Sequence, residues 1–263
     1  MTATAPLPTA DLTPPTAIGE LQPAQYSLRQ IAAVWAAAAL PMGLLSWVGA
    51  PWLSHHLSGP SPLAKALALC LTGGLIWQFL LVLGLVWREQ GSLRWSRVRH
   101  ALWLQAPRSP RTGRRSGRLW LLLIPLAVAF AAEELVSIPG PVNRNLGEFL
   151  SSHAGHALLS GSWFWFGVVV AAAVFNTLLG EELLFRGLLL PRMNRAFGRR
   201  DWIANGVLFA AYHVHMPWAM PTTLADTFIL AYPSKRYRSA WIGIAVHSMQ
   251  SVVLVAMALA LVL

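Results

Sequence analysis

Long apolar runs, rather than strict alternation, dominate the chain. They cover roughly Ile31–Trp52, Lys65–Trp87, Leu119–Ile138, Trp163–Leu190, Trp202–Met220, Thr222–Tyr232 and Ala240–Leu263. A helix rises about 1.5 Å per residue, so a run near 20 residues matches a hydrocarbon layer of about 30 Å. The pattern predicts an all-α, polytopic transmembrane helical bundle with about seven membrane segments; six to eight fit the length. The sixth run is too short to cross perpendicularly and is expected as a partial or tilted helix packed inside the protein. Pro41 and Pro125 are expected to kink the first and third spans.

The polar stretches between the runs set the orientation. Arginines crowd the segment from Arg88 to Arg118, a second group runs from Arg192 to Arg200, and Lys235, Arg236 and Arg238 form a third. Seven crossings put all three loops on one side, which the positive-inside bias makes cytoplasmic, with the N-terminus inside and the C-terminus outside. Residues 1–27 are rich in Pro, Thr and Ala and lack the basic and apolar regions of a signal peptide. They are expected as a disordered cytoplasmic tail, ahead of a transmembrane domain over 28–263.

Composition agrees with a bilayer environment. The chain is 56% hydrophobic and 11% charged, has 13 Trp, and has a mean hydropathy of +0.52. The net charge of +10 would suggest nucleic acid in a soluble protein, but the cations sit in the loops, so no nucleic-acid partner is expected. The expected location is a cell membrane, as a multi-pass protein of the bacterial inner-membrane kind. Cys70 is the single cysteine; it excludes an internal disulfide and a multi-cysteine metal site.

Ionisable residues within apolar runs are rare and mark function. "NTLLGEELLFRGLLLPR" carries Glu181, Glu182 and Arg186; His213 and His215 lie in the fifth run, Asp226 in the sixth and His247 in the seventh. Counted from the basic ends of their helices, Glu181, His213 and His247 each lie roughly 13–18 Å deep, near mid-membrane. One shared cavity is a cheaper way to bury three such groups than three separate burials. Glu182 and Arg186 are four apart and face one side of a helix as a supporting pair. Glu181, turned away from that pair, is free to act as a general base on water, with His213 and His247 holding the water or an oxyanion. The same three side chains are also a conceivable zinc set of two His and one Glu.

The motifs carry a resemblance. "EELLFR" (Glu181–Arg186) resembles the EExxxR motif of the CAAX-protease and bacteriocin-processing (CPBP) family of intramembrane endopeptidases. "FAAYH" (Phe209–His213) resembles its FxxxH motif. "HSMQS" supplies the third motif's His247, but Ser251 stands where the family has Asn or Asp. The similarity covers about Trp163 to Ser251. It implies Glu181 and His213 as the water-activating pair, His247 and position 251 as the oxyanion pair, and Glu182, Arg186 and Phe209 as support. It further implies a membrane-associated or prenylated protein or peptide as substrate and a metal-independent glutamate mechanism without a cofactor.

Two rival classes stand beside the protease. An ion-coupled transporter also buries Glu, Arg and His, although its polar groups commonly recur in both halves, whereas here they gather in the second. A non-catalytic membrane partner or immunity protein of the same fold is a reading that Ser251 keeps open, beside lower activity or a different substrate. "AAEEL" at Glu133–Glu134 imitates the first motif but has Ile138 in place of the arginine, and His215 and Asp226 are expected to be structural.

Overall fold

The computed structural model describes residues 23–136 and 138–263, so most of the expected tail lies outside the described residues. Helices account for the regular structure: α1 (Leu28–Ser54), α2 (Pro62–Gln90), α3 (Trp95–Ala101), α4 (Leu123–Glu134), α5 (Leu146–Leu150), α6 (His153–Leu159), α7 (Trp163–Arg192), α8 (Asp201–Tyr212), α9 (Tyr232–Tyr237) and α10 (Ala240–Val262). Among the described residues there is no named strand, only an isolated bridge between Arg108 and Arg115. The expected all-α membrane bundle is therefore what the structure shows.

Four helices, α1, α2, α7 and α10, are long and apolar enough to cross a membrane. The other three expected segments are present as shorter pieces. Leu119–Ile138 becomes a 3-10 stretch, Gly117–Leu122, running into α4. Trp202–Met220 becomes α8 followed by two 3-10 turns, His213–His215 and Pro217–Ala219. Thr222–Tyr232 becomes a π turn, Thr227–Ala231, leading into α9. Pro217 and Pro221 lie where short pieces begin; each removes an N–H donor and stops a continuous helix. Pro125 is the third residue of α4, where its missing N–H has no partner within the helix, so it starts that helix rather than kinking it. Pro41 does lie inside α1, one turn before a π turn at Leu45–Gly49.

α7 is the central helix. It packs against α2 and α10, and α10 packs in turn against α4. The main core joins Ile31, Ala38 and Met42 of α1, Leu75 and Val82 of α2, Leu184 and Leu188 of α7, Phe209 and Tyr212 of α8, and Ile244 of α10. The outward faces of the long helices carry exposed Leu40, Leu44, Leu80, Phe164, Val252 and Val253, as lipid contact requires.

The three basic loops meet at one end of the bundle. The Arg108 amide donates to the Tyr237 carbonyl (2.9 Å), the Ala240 amide donates to Trp103 (3.0 Å), and Arg192 reaches the Ala101 carbonyl (3.0 Å). Lys235 pairs with buried Asp201. Ahead of α1, the Tyr26 amide bonds the Arg192 carbonyl at 2.9 Å, and its hydroxyl donates to Glu89. Burial first, and then the bond to Glu89, hold the Tyr26 phenol above its ordinary pKa.

Candidate active site

The site is built on an irregular stretch of α7. The helix widens to π geometry over Val174–Gly180 and again over Leu183–Leu189, with Glu181 and Glu182 between the two stretches. Wide turns of this kind are rare and concentrate at functional sites. Gly180 allows the first one. A Cβ there would stand 2.2 Å from the Phe175 carbonyl oxygen and 3.4 Å from that of Leu75 in α2. Both are backbone atoms that cannot step aside.

Glu182 is fully buried. Its Oε1 lies 3.1 Å from Nη1 of Arg186 and 3.0 Å from Nδ1 of His247. The supporting pair expected from the sequence is thus a triad that reaches α10. A Cβ at Gly243, on α10, would stand 2.3 Å from Glu182 Oε2, so the glycine makes room for the carboxylate. The Arg186 guanidinium lies 4.0 Å above the Phe209 ring. Among the described residues, none of its nitrogens has a well-aligned hydrogen bond; the 3.1 Å approach to Glu182 is an ion pair without good alignment.

Phe209 is the centre of the cluster. Its ring meets His213 at 4.9 Å and His247 at 6.1 Å between centroids, and Phe185 packs on it at 5.0 Å. His213 Nδ1 is 2.9 Å from the Phe209 carbonyl. A carbonyl oxygen only accepts, so Nδ1 carries the hydrogen, and neutral His213 presents Nε2 as an acceptor. The same logic applies at His247: an ionised Glu182 accepts from Nδ1, which leaves Nε2 for other partners. His215 stacks on His213 at 5.5 Å.

Glu181 is buried beside the Tyr212 hydroxyl, in the electrostatic reach of His247, Glu182 and Arg186. The Tyr212 hydroxyl also accepts from Gln78 Nε2 of α2 at 2.5 Å. Gln78 and Tyr212 were not singled out as site residues in the sequence. Each carried a faint signal: Gln78 is an amide alone in an apolar span, and Tyr212 directly precedes His213. Ser251 is turned toward α7 one helical turn beyond His247. It accepts from Thr177 Oγ1 at 3.2 Å, and Thr177 also meets Ser248 at 3.1 Å. Thr177 was missed as well, although it lies four residues before Glu181. Asp226 is buried and contributes to the field at His247.

The structure thus brings Glu182, Arg186, Phe209, His213 and His247 together, sets Glu181 at their edge against Tyr212, and holds Ser251 in a hydroxyl cluster. Among the described residues, no three His, Cys, Asp or Glu side chains converge as a metal-ligand set.

No curated protein and no solved structure matches the chain. Residues 160–253, which contain every one of these α7, α8 and α10 side chains, match the model of a family described as "Type II CAAX prenyl endopeptidase Rce1-like".

Proposed function

We propose that the protein is an intramembrane endopeptidase that hydrolyses a peptide bond of a membrane-associated or prenylated protein or peptide, using water activated by Glu181. The observation that carries the reading is a buried carboxylate, Glu181, next to a polar cluster on three helices that has unused hydrogen-bonding capacity. Water between the Glu181 carboxylate and Nε2 of His213 would lose a proton to Glu181 as its oxygen attacks the carbonyl carbon. His247, protonated on both ring nitrogens and paired through Nδ1–H with Glu182, would present Nε2–H to the developing oxyanion, and the hydroxyl pair of Thr177 and Ser251 would take the place of the family's Asn or Asp. Glu181 would then return its proton to the leaving nitrogen. No metal enters this scheme. The basic end would face the cytoplasm of a bacterial inner membrane.

The test compares membranes from cells carrying the wild-type gene, a deletion and Glu181→Gln, by mass spectrometry of protein N- and C-terminal peptides. The proposal expects the same new or missing ends in the deletion and in Glu181→Gln. Ends that change in the deletion alone, with Glu181→Gln protein present at normal level, would favour the non-catalytic partner suggested by Ser251.

A further inference from the structure

At the basic end, outside the site just described, lies a pocket of about 400 Å³, the size of small-molecule sites. Five of its lining side chains, His100, Arg108, Arg195, Lys235 and Arg238, are basic, and among the described residues no carboxylate lines it. We propose that this pocket binds the phosphodiester headgroup of an anionic glycerophospholipid.

Orientation in the membrane requires only that cations lie in the loops. It does not require that they surround a walled cavity, and this cavity is built from four separate stretches tied to one another. Gln25 Nε2 donates to the Pro191 carbonyl at 2.9 Å, and the Arg195 amide donates to Gln25 Oε1 at 3.1 Å. The Ser239 hydroxyl donates to the Gln105 carbonyl at 2.5 Å, and the Ala240 amide donates to Trp103 at 3.0 Å.

Backbone strain gathers at the same place. Among the described non-glycine residues only three have positive φ, and two of them, Trp103 and Arg238, both at φ 50, line the pocket. Left-handed backbone at such residues persists where the surroundings enforce it, commonly at ligand clamps. The charge arrangement calls for an anion. Lys235 has Asp201 as counter-ion, but the pocket itself brings several cations together with no acid among them. Phosphate oxygens match guanidinium groups in charge and geometry.

A lipid rather than a free phosphate is favoured by position. Pro191 closes α7 and Arg238 lies two residues before α10, so the pocket is at headgroup level. Where α2 ends and α3, the helix that carries His100, begins, Trp87 is 60%, Leu93 46% and Trp95 60% exposed; such apolar side chains suit acyl chains, with Trp at the interface.

The experiment uses the full-length protein, purified in detergent and stripped of lipid, with native mass spectrometry as readout. Dispersed phosphatidylglycerol is titrated against phosphatidylcholine, with and without inorganic phosphate. The proposal expects one retained phosphatidylglycerol, no comparable phosphatidylcholine, and no displacement by phosphate at about tenfold excess. Arg238→Gly, which removes the cation while suiting a positive φ, and Arg195→Ala should each weaken retention about threefold, and together about tenfold. The control Arg111→Ala/Arg114→Ala removes the same charge from the exposed loop and should change it less than about twofold. Equal loss in the control would reduce the pocket to diffuse charge, and displacement by phosphate would make it a free-anion site; either overturns the proposal.

Discussion

Two buried arginines, Arg186 and Arg192, lie six residues apart on α7, and each meets its glutamate differently: Glu182 on the same helix, Glu89 on α2. Arg192 uses all its nitrogens. Nε and Nη2 donate to Glu89 at 2.6–3.1 Å, and Nη1 donates to the Ala101 and Leu188 carbonyls at 3.0 and 2.8 Å. Tyr26 caps the same carboxylate. Arg186 is just as buried, yet it rests on the face of Phe209 and shares Glu182 with His247, its nitrogens otherwise unmatched among the described residues. A buried donor without a partner lowers stability, commonly by about 1–3 kcal/mol. Arg192–Glu89 acts as a rivet joining four segments at the basic end, whereas the Arg186 cluster holds unmatched polar groups, as the proposed chemistry requires.

The largest expected effect separates these roles through Glu181. Glu181→Gln keeps the size and burial of the side chain but cannot take a proton from water at neutral pH. Turnover should fall by about 10²–10⁴-fold, the usual share of a general base, with the detergent melting temperature nearly unchanged. Cleavage assays on the substrate found by terminal proteomics measure the first, and thermal unfolding the second. A variant that cleaves at the wild-type rate would move the base elsewhere.

Next comes the comparison of the two arginines. Arg192→Leu strands Glu89 and frees two carbonyls, and should destabilise by about 3–5 kcal/mol. Arg186→Leu leaves Glu182 with His247 as partner and removes three ill-satisfied donors, so its loss should be smaller, about 1–3 kcal/mol. Specific activity of the surviving folded protein should show the reverse order. Equal melting shifts would break the distinction between rivet and site.

What the sequence revealed follows the same division. Glu181, Glu182, Arg186, His213 and His247 stood out because charge in an apolar run is conspicuous, and their depth could be counted along each helix. The triad itself was half legible: i,i+4 spacing predicts Glu182–Arg186, but nothing local tells that His247, 65 residues on, shares the same oxygen. Gln78 and Tyr212 meet across 134 residues, beyond any local pattern. The π turns around Glu181 leave no compositional trace, since Leu, Phe and Gly read as ordinary helix. The break-up of the region after Tyr212 was signalled by Pro217 and Pro221, which hydropathy counting ignores.

Gly243 offers a way to strain the cluster without altering any of its polar groups. Gly243→Ala adds one methyl facing Glu182 Oε2, where the ideal Cβ would stand 2.3 Å away. The carboxylate must move, and Arg186 and His247 must follow. Overpacking of this kind costs about 1–3 kcal/mol. Because the affected atoms belong to the site, activity should fall even where the fold survives. A variant with lower stability and full specific activity would argue that the Glu182 geometry has slack.

The smallest effect concerns the Tyr212 hydroxyl, which joins Glu181 to α2 through Gln78. Tyr212→Phe removes one oxygen and keeps the ring that packs on Phe185, at 5.4 Å between centroids. The Gln78 amide then loses its acceptor, and Glu181 loses a neutral neighbour but keeps its surrounding charges. A net hydrogen bond contributes about 0.5–1.5 kcal/mol, so the melting temperature should drop slightly. A base merely positioned by Tyr212 should lose less than about tenfold in turnover, as that free energy allows. Gln78→Leu removes the donor on the other side, and in Gln78→Leu/Tyr212→Phe the two losses should be less than additive, because the second change spares a stranded amide. Fully additive losses would mean that Gln78 and Tyr212 support Glu181 independently, and that the path from α2 to the base does not run through this hydroxyl.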